Sequence, residues 1–297
     1  MKEKIIVVGW GRMGITHTSI LGGLYPGRFE FLIVEPDNRV RKIVKSTLGF
    51  ACYKSIDEVL IDRARLIITT PPSAHSYLVE KAIEGGAHSM FVEKPFGLHD
   101  NRVGNNVNVY VGYVLRFSEV AQNLKKIITE EGCKELSLDY SSNTLSKKPQ
   151  GWRNSAYGGV LNEMGSHLID MILYLLGADN IQVKSKEISS VISDVDDIVS
   201  FSGKCGTTNV SLSLNWVNKE YRKPIWSGKL VTEKREITFD QQSLSIGFKP
   251  INVDYYVRGR DFSLQMKHFI EDNMSIFCNS IQANKVHDTI SKIKFEK

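Results

Sequence analysis

No stretch of this sequence reaches the roughly 18 uncharged apolar residues that a membrane-spanning helix requires. The longest candidate, Val160 to Leu176, contains Glu163, His167 and Asp170. The lysine-flanked start carries too few apolar residues before Trp10 for a signal-peptide core. A soluble cytoplasmic protein with no membrane partner is expected. Cysteine is scarce: Cys52, Cys133, Cys205 and Cys278 lie far apart with no C-x-x-C pair. That spacing argues against a zinc site or a disulfide framework and for buried, reduced thiols. A Lys/Arg block is also missing, and the net charge of +5 is spread over 297 residues. Nucleic acid is therefore not an expected partner. There is no internal repeat and no low-complexity linker. Hydrophobic content of 42% is ample for the cores of about two domains.

What the chain does have is concentrated at its start. Ile5-Ile6-Val7-Val8 reads as a strand buried on both faces, as in a parallel sheet. It runs into Gly9, Gly11 and Gly14, the G-x-G-x-x-G spacing, with Trp10, Arg12 and Met13 between the glycines. In a strand–turn–helix setting these glycines serve a tight turn, close approach of a pyrophosphate, and helix–strand packing. The next helix would turn its free N–H groups and positive dipole end toward the phosphates. A second apolar run, Phe29 to Val34, ends in Glu35, 21 residues beyond Gly14. An acidic residue about 20 positions on is where such folds bind the adenosine ribose hydroxyl. Nucleotide binding, with NAD preferred and NADP possible through Arg39 and Arg41, is the expectation.

Strands alternate with helices over residues 1–95, which predicts a doubly wound parallel sheet. Helices are expected near Met13–Leu24, Asp37–Leu48 and Ser73–Ile83, with a short one opened by the S-x-x-E box of Ser55 and Glu58. Strands are expected near Ala51–Tyr53, Arg65–Thr70, His88–Val92 and Asn108–Tyr113. From Ser118 the pattern changes. A helix over Glu119–Glu130 leads to period-2 strands near Glu135–Tyr140, Gln182–Ser190, Ile198–Ser202, Thr208–Trp216 and Arg235–Phe239. Such alternation predicts a mostly antiparallel sheet with one wet face. Helices near Phe262–Met274 and Ile281–Ile293 finish the chain. The expected division is a dinucleotide-binding domain over 1–117 and a second α+β domain over 118–297.

Two clusters carry chemistry. Glu93-Lys94-Pro95 ends a parallel strand, at the edge where open α/β sheets bind ligands. A lysine there can set a positive charge beside a substrate oxygen, and a solvated strand-end lysine is the plain alternative. In Gly158 to Asp170, Glu163 and His167 stand four apart, so a helix puts them on one face, with Asp170 close by. A carboxylate beside an imidazole can orient it and support its cationic form near neutral pH. The same pair suits a metal, but no further ligand cluster accompanies it. A satisfied core histidine on an apolar helix fits the local pattern equally well.

Taken together, Gly9–Gly14, Thr70-Pro71-Pro72 with His75, Glu93-Lys94-Pro95, Gly112-Tyr113 with Arg116-Phe117, and Gly158–Asp170 resemble the Gfo/Idh/MocA oxidoreductases. These are the family of glucose–fructose oxidoreductase and inositol dehydrogenase. The resemblance implies an N-terminal Rossmann domain, a C-terminal α/β domain with a large open sheet, and homo-oligomers formed through that sheet. It implies hydride transfer between a nicotinamide and a sugar, polyol or related hydroxyl carbon. Lys94 would polarise the reacting hydroxyl and His167 would take its proton. Glu163 stands where the family usually has aspartate. Thr70, Pro71, His75, Glu93 and Lys94 would line the cofactor, and Arg116, Trp152 and Arg153 the substrate pocket. No metal is implied. Only 16 residues separate Pro95 from Gly112, where the family fits a further helix. Two other readings use the same fold: a nucleotide-binding sugar sensor, and a hydrolase or epimerase working through a transient oxidation.

Overall fold

In the computed structural model, residues 2–96, 107–246, 249–251 and 258–296 are described. The chain divides into two compact units, one of residues 1–113 with 259–284, the other of 114–258 with 285–297.

The first unit is built on a six-stranded sheet of order β3-β2-β1-β4-β5-β6. Its strands are β1 (Glu3–Val8), β2 (Phe29–Val34), β3 (Ala51–Tyr53), β4 (Arg65–Ile68), β5 (Ser89–Val92) and β6 (Asn108–Val111). Every neighbouring pair is parallel. Ile5, Ile6, Val7, Leu66, Ile67, Ile68, Met90, Phe91 and Val92 are fully buried, as strands covered on both faces require. The order reverses between β1 and β4, and ligands of doubly wound sheets bind at such a point. Helices α1 (Arg12–Leu24), α2 (Asn38–Leu48) and α3 (His75–Glu84) make the crossovers. Asp37 starts α2 by accepting the Arg39 N–H at 2.7 Å, and Gly49 ends it at φ +69°. Between β5 and β6, residues 97–106 lie outside the described residues. The shortened crossover noted in the sequence falls there.

The second unit carries α4 (Glu119–Glu131), β7 (Glu135–Ser141), α5 (Ser166–Leu176), β8 (Gln182–Ser189), β9 (Ile198–Cys205) and β10 (Thr208–Asn215). It continues through β11 (Ile225–Val231), β12 (Glu236–Asp240), β13 (Leu244–Ile246) and β14 (Lys249–Ile251). Its eight strands run β14-β13-β12-β11-β7-β10-β9-β8. Among the described residues only β7 and β10 of this sheet pair in parallel; the other pairs are antiparallel. One face of β9 and β10 is buried, through Val199, Phe201, Val210, Leu212 and Leu214. The segment leading into α5 packs closely on it: a Cβ on Gly165 would come 2.8 Å from Leu214 Cδ1.

Two helices close the chain, α6 (Arg258–Ile270) and α7 (Ser280–Phe295). Where the sequence divides simply at residue 117, the structure assigns 259–284 to the first unit. The physical reason is apolar burial. Met266 and Phe269 are 0% exposed, and the Phe269 ring packs on Phe91 and Tyr110 at centroid distances of 5.9 and 5.3 Å. Cys278 O also accepts the Val111 N–H at 2.9 Å, at the end of β6.

Candidate active site

The glycine-rich turn has the backbone its spacing demands. Gly9 sits at φ +92°, a conformation that L side chains rarely adopt. A Cβ on Gly14 would lie 2.3 Å from the Gly9 carbonyl, so only glycine lets α1 approach the end of β1 this closely. Gly11 is different. A Cβ there meets nothing within 4 Å, and Gly11 leads into α1 with no side chain capping the helix. The first N–H groups of α1 therefore face an open place beside Gly11 without side-chain caps, as a pyrophosphate needs. Arg12 is exposed and Met13 half-buried on the first turn.

Glu35 follows β2 at the same sheet edge. Its Oε2 accepts the Trp10 N–H and its Oε1 the Asp37 N–H, both at 2.9 Å. The carboxylate is thereby tied to the glycine turn across 25 residues of sequence. Arg41 Nη1 donates to the carbonyls of Glu35 and Pro36, both at 2.7 Å, which draws this guanidinium to backbone.

After β4, Thr69 Oγ1 donates to the Gly9 carbonyl at 2.7 Å, joining the second loop to the first. Thr70 is half-buried and Pro71 exposed. His75 is buried, at 2% exposed. Its Nε2 lies 2.9 Å from the Thr70 carbonyl, so the ring braces the loop. Burial holds its pKa below the ordinary histidine value, against the opposing pull of Thr70, Glu93 and Pro95. After β5 stand Glu93, 9% exposed, and a half-buried Lys94 joined to Pro95 by a cis peptide bond.

In the second unit, Glu163 and His167 do not stand on a plain α-helix. Leu161–Gly165 is a π-helical turn, in which the Ser166 N–H reaches back to the Leu161 carbonyl, and α5 continues from it. Such turns are rare and recur at functional sites. His167 is 8% exposed, and Glu163 lies 3.3 Å from Arg153 Nε. Arg153 is 53% exposed, and its guanidinium stands 5.5 Å from the centre of the half-buried Trp152 ring. Arg116 is paired with Asp170. It is 3% exposed, and its Nε and Nη2 grip the two oxygens of Asp170 at 2.9 and 2.7 Å. The neighbour expected for His167 is thus engaged by an arginine. A bidentate pair this buried is a framework contact.

The glycine pair before this turn has a cause that spacing does not reveal. A Cβ on Gly158 would fall 2.0 Å from the Arg153 carbonyl, and one on Gly159, at φ +93°, 2.2 Å from Asp196 Oδ1. Asp196 accepts the Leu161 N–H at 2.7 Å and so caps the turn. Nothing local in the sequence marks Asp196, because it acts across 35 residues.

Parallel sheet, glycine turn and acidic residue define a dinucleotide-binding Rossmann protein with an α+β second unit. The chain belongs to the Gfo/Idh/MocA oxidoreductase family. Residues 4–107 match its "Oxidoreductase family, NAD-binding Rossmann fold" domain and residues 134–241 its "GFO/IDH/MocA C-terminal domain". Glucose-6-phosphate 3-dehydrogenase of Bacillus subtilis (strain 168) is 24% identical over 228 residues, covering 68% of this chain and 64% of the relative. Inositol 2-dehydrogenase of Rhizobium meliloti (strain 1021) is 26% identical over 217 residues, with the same coverages of 68% and 64%. The chain thus spans slightly under two thirds of the length of these relatives. Among solved structures, levoglucosan dehydrogenase in complex with NADH superposes with a TM-score of 0.79 at 17% identity, over 99% of this chain and 98% of that one. GenD2 from gentamicin A biosynthesis, in complex with NAD, gives 0.78 at 18% identity, over 98% and 92%. The open place at Gly11, the uncapped start of α1 and the Glu35 carboxylate all fit NAD.

Proposed function

We propose that this protein is an NAD-dependent oxidoreductase that removes hydride from a hydroxyl-bearing carbon of a sugar, polyol or sugar derivative. The observation that carries the reading is the Gly11–Glu35 arrangement, an open helix start with a carboxylate fixed beside the turn. NAD bound there supplies the hydride acceptor. Gly9, Gly11, Arg12, Met13 and Gly14 hold its pyrophosphate, Glu35 its ribose, and Thr70, Pro71 and the Glu93-Lys94 turn its nicotinamide half. His167 takes the proton of the substrate hydroxyl, and Glu163 orients the imidazole or the substrate. Lys94 places its ammonium charge beside the oxygen as negative charge develops there. Trp152 and Arg153 contact the sugar. Family membership, the ordered positions of these residues and the sugar and polyol dehydrogenases among the relatives support the assignment.

The same reading places the protein in the cytoplasm, a compartment that suits its four free thiols. It makes the protein a homo-oligomer assembled through the open sheet of the second unit. The test is a screen of sugars, polyols and sugar nucleotides with NAD and NADP, following reduced nicotinamide. His167→Ala should lower turnover about 10²- to 10⁴-fold while NAD affinity holds. Lys94→Ala should also slow turnover. Turnover in folded His167→Ala close to that of the unsubstituted protein would remove His167 from the mechanism.

A further inference from the structure

Within the first unit, a buried histidine stands against the turn that presents Lys94. His17 lies on the inner face of α1 and is 0% exposed. Its Nε2 stands 2.8 Å from Glu93 Oε1. The ring packs edge-on against Phe91 and Phe262, at centroid distances of 4.8 and 5.9 Å. His17 Nδ1 is buried with no hydrogen-bond partner among the described residues, so the ring hydrogen sits on Nε2 and is donated to Glu93. The other carboxylate oxygen, Glu93 Oε2, accepts the Lys94 N–H at 3.3 Å. A Cβ on Gly112 would come 3.1 Å from that same oxygen, so the backbone of Gly112 closes a third side. His75 holds the neighbouring β4 loop through the Thr70 carbonyl, 2.9 Å from its Nε2.

We propose that His17 is a positioning residue for Lys94: it holds the Glu93 carboxylate, and that carboxylate fixes the Lys94 backbone N–H. A carboxylate this buried must find donors, since leaving it without them costs more than one hydrogen bond normally contributes. With His17 gone, Glu93 turns toward other donors and releases the Lys94 amide. The lysine side chain then leaves β5 in a different direction. A displacement of about 1 Å at a reacting group is enough to cost about 10² in rate. No sequence spacing exposes this relationship, because the two partners are 76 residues apart.

The inference rests on the reading of Lys94 as the group beside the substrate oxygen, so its test includes a measurement that needs no turnover. His17→Leu fills the space without a donor, and His17→Gln keeps a side-chain N–H of similar reach. His17→Asn, whose amide stops short of Glu93, serves in place of the leucine variant if that one does not fold. Lysines are reductively methylated with carbon-13, and the Lys94 signal is identified by its loss in Lys94→Arg. His17→Leu should move the Lys94 chemical shift and its titration midpoint, and His17→Gln should restore both. NADH binding, followed by fluorescence, should weaken in His17→Leu and recover in His17→Gln, because the displaced Glu93-Lys94 turn is the one assigned to the nicotinamide half. On a substrate that the unsubstituted protein turns over, kcat should fall about 10²-fold in His17→Leu and recover in His17→Gln. An unmoved Lys94 signal in a folded donor-less variant overturns the proposal, and so do equal losses in the leucine and glutamine variants. Absence of turnover with every substrate counts against the proposed activity instead, while the Lys94 signal still decides the role of His17.

Discussion

Asp196 Oδ1 and Lys294 Nζ lie 2.8 Å apart, with side chains only 5% and 14% exposed. Asp196 also accepts the Leu161 N–H through Oδ2 at 2.7 Å and the Val160 N–H through its carbonyl at 2.8 Å. Lys294 reaches the Gly158 carbonyl at 3.3 Å. A strand-side aspartate and a residue from α7 thus clamp the start of the turn that carries Glu163. Removing one partner of a buried ion pair typically costs about 3–5 kcal/mol. Asp196→Ala should lower stability by about 3 kcal/mol, the low end because Lys294 keeps some solvent contact. Gly159→Ala should act in the same direction, since its Cβ would fall 2.2 Å from Asp196 Oδ1. Urea unfolding checks both, and an unchanged midpoint in Asp196→Ala would contradict the clamp.

The glycines of the first turn are not equivalent, and substitution separates their roles. Gly14→Ala drives a methyl to 2.3 Å from the Gly9 carbonyl, a backbone atom with little room to give, and should destabilise the first unit. Gly11→Ala meets nothing within 4 Å at φ −84°, so its melting temperature should hold. Its NADH affinity should nevertheless drop, because the added methyl occupies the place assigned to the pyrophosphate. Thermal melts paired with a fluorescence titration test this, and full affinity in Gly11→Ala would argue for a different cofactor path.

Cofactor choice should depend on Glu35. Its carboxylate accepts ribose hydroxyls and repels a 2′-phosphate, and Arg41, the basic residue nearest in sequence after Arg39, donates to the Glu35 and Pro36 carbonyls. NADH should therefore bind more tightly than NADPH, and Glu35→Ala should narrow the gap. Titration of both dinucleotides into both proteins decides it. Equal binding by the unsubstituted protein would remove Glu35 from this role.

Acid should unfasten the loop before β9 through Asp197, which is 0% exposed. Burial alone would raise its pKa, but the N–H groups of Ile192 and Ser193, the Ser193 hydroxyl and the Trp216 indole outweigh it and hold the pKa at about 2, down from 3.8. A carboxyl depressed in the folded state stabilises the protein above its unfolded pKa, and that contribution fades as pH falls toward the folded one. Asp197→Asn should be about 2 kcal/mol less stable at neutral pH. The gap should close as pH drops from about 4 to about 2. Parallel urea titrations at several pH values measure it, and a gap independent of pH would contradict the assignment.

Much of the first unit is legible along the chain because its signals are local. Apolar runs such as Ile5–Val8 and Arg65–Ile68 are buried strands, and Asp37 caps the helix that follows it by accepting the Arg39 N–H at 2.7 Å. In the second unit, β11 carries no local signal: Ile225–Val231 mixes Trp, Ser, Gly and Lys, and its identity comes from the ladders with β7 and β12. The short strands β13 and β14 escape for the same reason.

By itself, the sequence determined the parallel sheet, the glycine turn with its acidic partner, and the order of the chemical motifs, all of which are written in neighbouring residues. Tertiary structure alone decided which side chains those motifs meet. It engaged Arg116 with Asp170 across 54 residues, His17 with Glu93 across 76, and Asp196 with Leu161 across 35. It also docked α6 against the first sheet. The reason is physical: a buried charge or an open apolar face is satisfied by whatever partner the completed fold brings within reach, and no local spacing encodes that partner.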